Sequence, residues 1–191
     1  KITSQDDWDD KIGHYNSYLD FQDYKEYKRL TRSAKRSDLF PSKLPDSLKE
    51  SILCYILAIS IRESRKPAMV YSNMFNPHNS MLIHISRYIP WQNRLKDLIE
   101  AYVAELQRNL AHDDPNDSRS VFANFELVWY KYYADIIEHM NEYLPKGYDD
   151  QFLGPISYET IKNNYLTEAI KGIEIMAINS ETGDKLIYPK T

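Results

Sequence analysis

The stretch WQNRLKDLIEAYVAELQRNLA, residues 91–111, decides the fold class. Leu95, Leu98, Ile99, Tyr102, Val103, Leu106 and Leu110 recur at the i, i+3, i+4, i+7 spacing, and Arg94, Lys96, Asp97, Glu100, Glu105 and Gln107 fall outside that stripe. This is the period of an amphipathic helix. Pro90 stands just ahead of it, where a missing N–H costs nothing.

The same period continues in both directions. Downstream, Phe122, Phe125, Trp129, Tyr132, Tyr133, Ile136, Met140 and Tyr143 form one stripe and predict a single helix over 119–144. Ser118 or Ser120 would cap it, and Pro145 and Gly147 would stop it. Upstream, Ser47 and Glu50 have the spacing of a capping box, in which each side chain satisfies an orphan backbone donor of the other's turn. Residues 48–61 that follow are apolar nearly all round, so that helix must be enclosed on several sides and belongs at the centre of a bundle.

Trp8, Ile12, Tyr15 and Leu19 predict a helix over 7–33, with a tyrosine-rich continuation. Between 69 and 89 the pair Asn76-Pro77 interrupts the pattern and predicts two short helices around a kink or loop. A last helix is expected over 157–171, with Gly172 at its C-terminus. Beyond it, two runs rich in β-branched residues flank a turn containing Gly183 and predict a β-hairpin over about 173–188. The expected fold is therefore mainly α, a single domain over 1–191 built as a helical bundle of about six or seven helices with a C-terminal β-hairpin.

Composition bounds the function. The chain has 191 residues, a formal charge of −4 and one cysteine, Cys54. A lone cysteine excludes an internal disulfide framework and a Cys-rich zinc module, so the fold rests on a hydrophobic core. The longest apolar run, 52–61, is about half the roughly 20 residues a membrane-spanning helix needs, so no membrane association and a cytoplasmic location are expected. Five glycines are too few for a phosphate-cradling loop, and no Gly-x-Ser-x-Gly is present. None of the five histidines follows a glutamate at the Glu-x-x-His spacing of a helical di-metal site. Asp135, Glu138, His139 and Glu142 come nearest to a ligand set, but they read first as a solvated helix face. The oxygen-rich run 112–117 lacks the order of a calcium loop and reads as a turn. No cofactor, no metal and no catalytic residue are expected. Cys54 lies in the most apolar helix, where a thiol fills space and does not react.

Charge is unevenly distributed. Residues 1–112 hold 17 Lys and Arg against 14 Asp and Glu, whereas residues 113–191 hold 7 against 14. In the acidic part, Glu126, Glu138, Glu142, Asp149 and Asp150 are interspersed with Tyr130, Tyr143 and Tyr148. Tyrosine offers a large contact area with a polar tip, and like-signed charges around it steer an oppositely charged protein. These eight residues are the candidate binding surface for a basic protein partner, such as a toxin or nuclease. The overall composition resembles that of small acidic helical immunity proteins, which neutralise a toxin by covering it. The resemblance implies a non-enzymatic inhibitor that works by occlusion.

Two alternatives remain open. The segment 107–112, with Arg108 and His112, is similar to the Arg-Asn motif of HEPN-type ribonucleases, although three residues separate the pair here where the family has four to six. That resemblance implies RNA cleavage, with Arg108 stabilising phosphate charge and His112 transferring a proton. The other alternative is nucleic-acid binding by the basic cluster Lys25, Lys28, Arg29, Arg32, Lys35 and Arg36, a reading that the acidic balance of the whole chain disfavours.

Overall fold

The computed structural model describes residues 43–180 apart from 74, 77, 85–88, 148–151 and 153. The helix expected over 7–33 and the Lys25–Arg36 cluster lie outside the described residues. So does the second arm of the expected hairpin.

Seven helices occur among the described residues: α1 (Asp46–Tyr71), α2 (Ile89–His112), α3 (Val121–Tyr132), α4 (Ala134–Glu138), α5 (Met140–Tyr143), α6 (Tyr158–Asn164) and α7 (Leu166–Lys171). The protein is mainly helical, as its periodicity requires. α1 is the centre. It buries Ile52, Leu53, Ile56, Leu57, Ile59, Ser60 and Ile61 and packs against α3, α6 and α7. The Ser60 hydroxyl is buried at no solvent cost because it donates to the Ile56 carbonyl at 2.9 Å. α2 buries the predicted stripe through Leu95, Ile99, Val103, Leu106 and Leu110, and lies against α3 and α7.

Several local expectations are corrected. α1 does not end near residue 61 but runs on through Pro67 to Tyr71. An internal proline removes one helical hydrogen bond, yet the turn before it is held from outside. The Arg62 guanidinium donates to the His78 carbonyl at 2.7 Å, to Asn79 Oδ1 at 2.6 Å and to the Asn76 carbonyl, and Arg62 and Lys66 both lie over the Phe75 ring. The helix stops at Asn73, whose φ of 56° is the left-handed conformation that asparagine tolerates. No short helix pair forms between 69 and 89 among the described residues, because 75, 76 and 78–84 are a non-helical strap that Arg62 holds through residues 76, 78 and 79. The capping box is not made either. α1 starts two residues early, at Asp46, and Glu50 turns to Lys131 and Tyr132 of α3.

The single helix expected over 119–144 is three helices, broken at Tyr133 and at His139. Ser120 precedes α3 without making a side-chain cap; Asp113 Oδ2 accepts from the Val121 N–H at 2.8 Å in its place. The last helix is also divided, at Tyr165, and Ser157 caps its first half by accepting from the Thr160 N–H.

The expected C-terminal β-hairpin is corrected as well. Residues 173–178 form no strand. Ile173, Ile175 and Ala177 turn toward the helices while Glu174, Met176 and Ile178 face outward. Period-two alternation requires an extended segment with one covered face, and among the described residues helices provide that cover. Gln107 donates to the Ile170 carbonyl at 3.1 Å and Asn179 to Asn93 at 3.0 Å, so the chain runs back along α2 toward its start.

Candidate functional site

The eight residues of the predicted acidic surface do not share one environment. Tyr148, Asp149 and Asp150 lie outside the described residues. Glu126 and Tyr130 are one turn apart on the outer face of α3, Glu138 ends α4, and Glu142 and Tyr143 are on α5; all five are exposed. The backbone breaks at Tyr133 and His139 change the phase of the stripe. Ile136 and Tyr143, expected on the buried side, are 46% and 60% exposed. Leu127, which the predicted stripe leaves out, is 71% exposed beside Tyr130 at 64%. The surface therefore combines apolar and aromatic area with carboxylates.

Its electrostatics favour a cation. Of the five Lys and Arg among the described residues from 113 on, Arg119, Lys131, Lys162 and Lys171 are each engaged by a carboxylate of this chain, Asp117, Glu50, Glu159 and Glu168, and Lys146, after α5, is in no ion pair. Glu126, Glu138 and Glu142 take part in no ion pair among the described residues. The predicted ligand-like cluster at 135–142 is an internal network. The Tyr143 hydroxyl donates to Asp135 Oδ2 at 2.8 Å, and His139 Nδ1 lies 3.1 Å from the Asp135 carbonyl and 3.2 Å from its carboxylate. The hydrogen bond to that carbonyl holds the His139 imidazole above the ordinary histidine pKa, and the carboxylates of Asp135, Glu142 and Glu138 add to the effect. No group of three His, Cys, Asp or Glu side chains among the described residues is placed to hold a metal ion.

Behind this face is an open groove of about 910 Å³. One wall is α1, through Ser64, Arg65 and Ala68; the other is α3 and α4, through Tyr130, Ile137 and Glu138. Trp129 and Tyr158 form its buried floor. Their ring centroids are 6.0 Å apart, and the Tyr158 hydroxyl donates to the Phe122 carbonyl, which fixes the floor to α3. Burial raises the Tyr158 pKa, so the phenol remains a neutral donor there. Tyr130 and Glu138 thus belong to the predicted surface and to the groove together. Periodicity could not show the groove, because Arg65 and the 154–157 segment come from parts of the chain far from α3 in sequence. Leu127 was legible as an apolar residue off the stripe.

The remaining candidates are more dispersed. Arg108 and His112 sit one turn apart at the exposed end of α2. The aspartates at 113–117 accept backbone N–H bonds of their own loop: Asp114 from Asn116 and Asp117 from Arg119, both at 2.9 Å. Cys54 is half-buried on α1, and its thiol pKa is pushed up to about 11 by burial and by nearby Glu50. The Tyr133 hydroxyl donates to its carbonyl at 2.7 Å. Such a thiol is a poor nucleophile. No helix among the described residues is long and apolar enough to cross a membrane.

No curated protein and no solved structure matches the chain. Residues 47–191 match the Z1 domain family, from the first turn of α1 to the last residue of the chain, and the protein belongs to that family.

Proposed function

We propose that this member of the Z1 domain family is a non-enzymatic protein-binding module, and that the outer face of α3, α4 and α5 covers a basic surface on its partner. The single observation that carries the reading is a juxtaposition: exposed Leu127, Tyr130, Ile136 and Tyr143 lie on the segment whose carboxylates Glu126, Glu138 and Glu142 form no salt bridge among the described residues. Exposed aromatic area supplies contact energy, and uncompensated charge supplies steering and partner choice. An immunity or inhibitor role follows if the surface covered is one the partner needs for its own activity, as the phosphate-binding surface of a nuclease would be.

The test is affinity capture from the native host with three forms of the chain. The wild type should retain a partner of basic composition, and retention should weaken as salt rises. Glu126→Lys with Glu142→Lys should lose it. Asp97→Lys with Glu105→Lys, which reverse as many charges on the exposed side of α2, should keep it. Equal loss from both double variants would remove the face from the account. RNA cleavage by the purified chain that disappears in His112→Ala would put the ribonuclease alternative in its place.

A further inference from the structure

We propose that the groove between α1, α4 and the 154–157 segment binds an extended peptide of the partner, taken up along the exposed backbone of residues 154–156. The charge assigned to that peptide rests on the protein-binding reading of the adjoining face; the groove's shape and hydrogen-bonding capacity do not.

The first observation is the backbone. Gly154, Pro155 and Ile156 lie in no helix, and Ser157, which follows them, is extended with φ −93° and ψ 157°. Among the described residues no backbone group of 154–156 has a hydrogen-bond partner. A Cβ built on Gly154 would meet nothing within 4 Å, so the main chain there is bare on that side. Pro155 has no N–H, but the free N–H groups of Gly154 and Ile156 and the carbonyls of all three residues, leading into the extended Ser157, can pair with an extended chain laid beside them.

The second observation is what the backbone borders. The same segment lines the groove with Trp129, Tyr130, Tyr158 and Tyr165, an aromatic trough that receives alternate side chains of an extended ligand. A volume of about 910 Å³ lies within the range of ligand-binding clefts. Arg65 lines the opposite wall from α1, and among the described residues no acceptor takes its guanidinium, so its donors are available to peptide carbonyls. Glu138 is the groove's carboxylate, with Glu142 following it along the chain, and selects a lysine or arginine on the incoming peptide. The occupant is thus an extended segment in which apolar and basic residues alternate.

A display library of random linear peptides, panned against the full chain, tests this. Enriched peptides should alternate apolar residues with Lys or Arg. Their affinity should fall by about tenfold or more when Ala68→Trp fills the groove from α1, and similarly when Thr160→Arg intrudes from α6. Both positions are exposed, and circular dichroism and thermal melting should match the wild type. Replacing a central peptide residue by proline, which removes an N–H, should weaken binding. Leu127→Asp lies outside the groove lining and should leave peptide binding intact while abolishing partner capture, so the groove and the face fail separately. Three outcomes overturn the proposal: no enrichment, enrichment of acidic peptides, or equal binding to the wild type and to both groove-filling variants.

Discussion

α1 and the segment from Val121 to Tyr143 carry equally clear helical periodicity, and the molecule treats them differently. α1 is continuous for 26 residues and survives an internal proline. The second segment breaks twice within a similar length, and α4 and α5 bury no residue. Propensity does not separate them, because neither contains a glycine. Packing does. α1 has neighbours on several sides and buries seven residues, whereas the second segment buries residues fully only in α3, at Val121, Phe122, Phe125, Val128 and Trp129, and rests on the core beyond that through partly buried Tyr133, Ala134 and Ile137. In water, isolated helices of this length are marginal, and continuity follows the buried stripe. Where the anchor ends, apolar residues turn outward and become available to a partner.

The largest effect that would sharpen the contrast is on stability. Ile56→Ala in α1, at a fully buried site, should cost about 2–5 kcal/mol, whereas Ile136→Ala in α4 should stay within about 0.5 kcal/mol, both read from urea denaturation midpoints. Equal losses would mean that α4 is as firmly packed as α1.

The next effect is kinetic and reports on the α1 side of the joint. With its pKa pushed up to about 11 from an ordinary value of 9.0, the Cys54 thiol should hold about 100-fold less thiolate at neutral pH than in the unfolded chain. Alkylation by iodoacetamide should be slowed at least that much in the native protein and should recover in urea. Rapid native alkylation would show that the α1–α3 joint opens readily.

A smaller effect concerns the polar tie across that joint. Burial acts to raise the pKa of Glu50, but the hydrogen bonds from Lys131 and Tyr132 outweigh it and hold the carboxyl below its ordinary value of 4.5. A depressed carboxylate pKa contributes stability that is present above the unfolded value and is lost as pH falls through the folded one. Because the pair is partly exposed, the contribution should not exceed about 1 kcal/mol. Glu50→Gln should therefore lower stability at pH 7 and shrink its loss on acidification below pH 4.5; an unchanged acid profile would discount the tie.

The smallest effect is on the outer face. His139, raised above 6.5, keeps a positive charge among Asp135, Glu138 and Glu142 to higher pH than an ordinary histidine and loses it as pH rises through its folded pKa. Affinity for a basic partner should accordingly increase with pH across that titration, and His139→Gln should flatten the profile.

The sequence made much of the fold legible. The 91–111 stripe appears as α2 with its predicted buried residues, and the all-round apolar run at 48–61 is the centre of the bundle, because both signals report burial directly. The breaks at Tyr133, His139 and Tyr165 were not legible, since a period cannot reveal where an anchor ends. Alternation over 173–178 was read as half of a hairpin, although helices satisfy the same pattern. Of the candidate surface, Glu126 and Tyr130 were visible as a charged and an aromatic residue one helical turn apart. Arg65 and the bare backbone at 154–156 were not, because the groove they line is assembled by tertiary contacts.

The central claim is that the outer face of α3, α4 and α5 is where this protein meets its partner. Site-specific photo-crosslinking in the native host tests it most directly, with the reactive group placed in turn at Leu127, at Tyr143 and at Glu105 on the exposed side of α2. One basic protein should crosslink from Leu127 and Tyr143 and not from Glu105. Crosslinks from Glu105 alone, or nucleic acid captured from Leu127 and Tyr143, would contradict it.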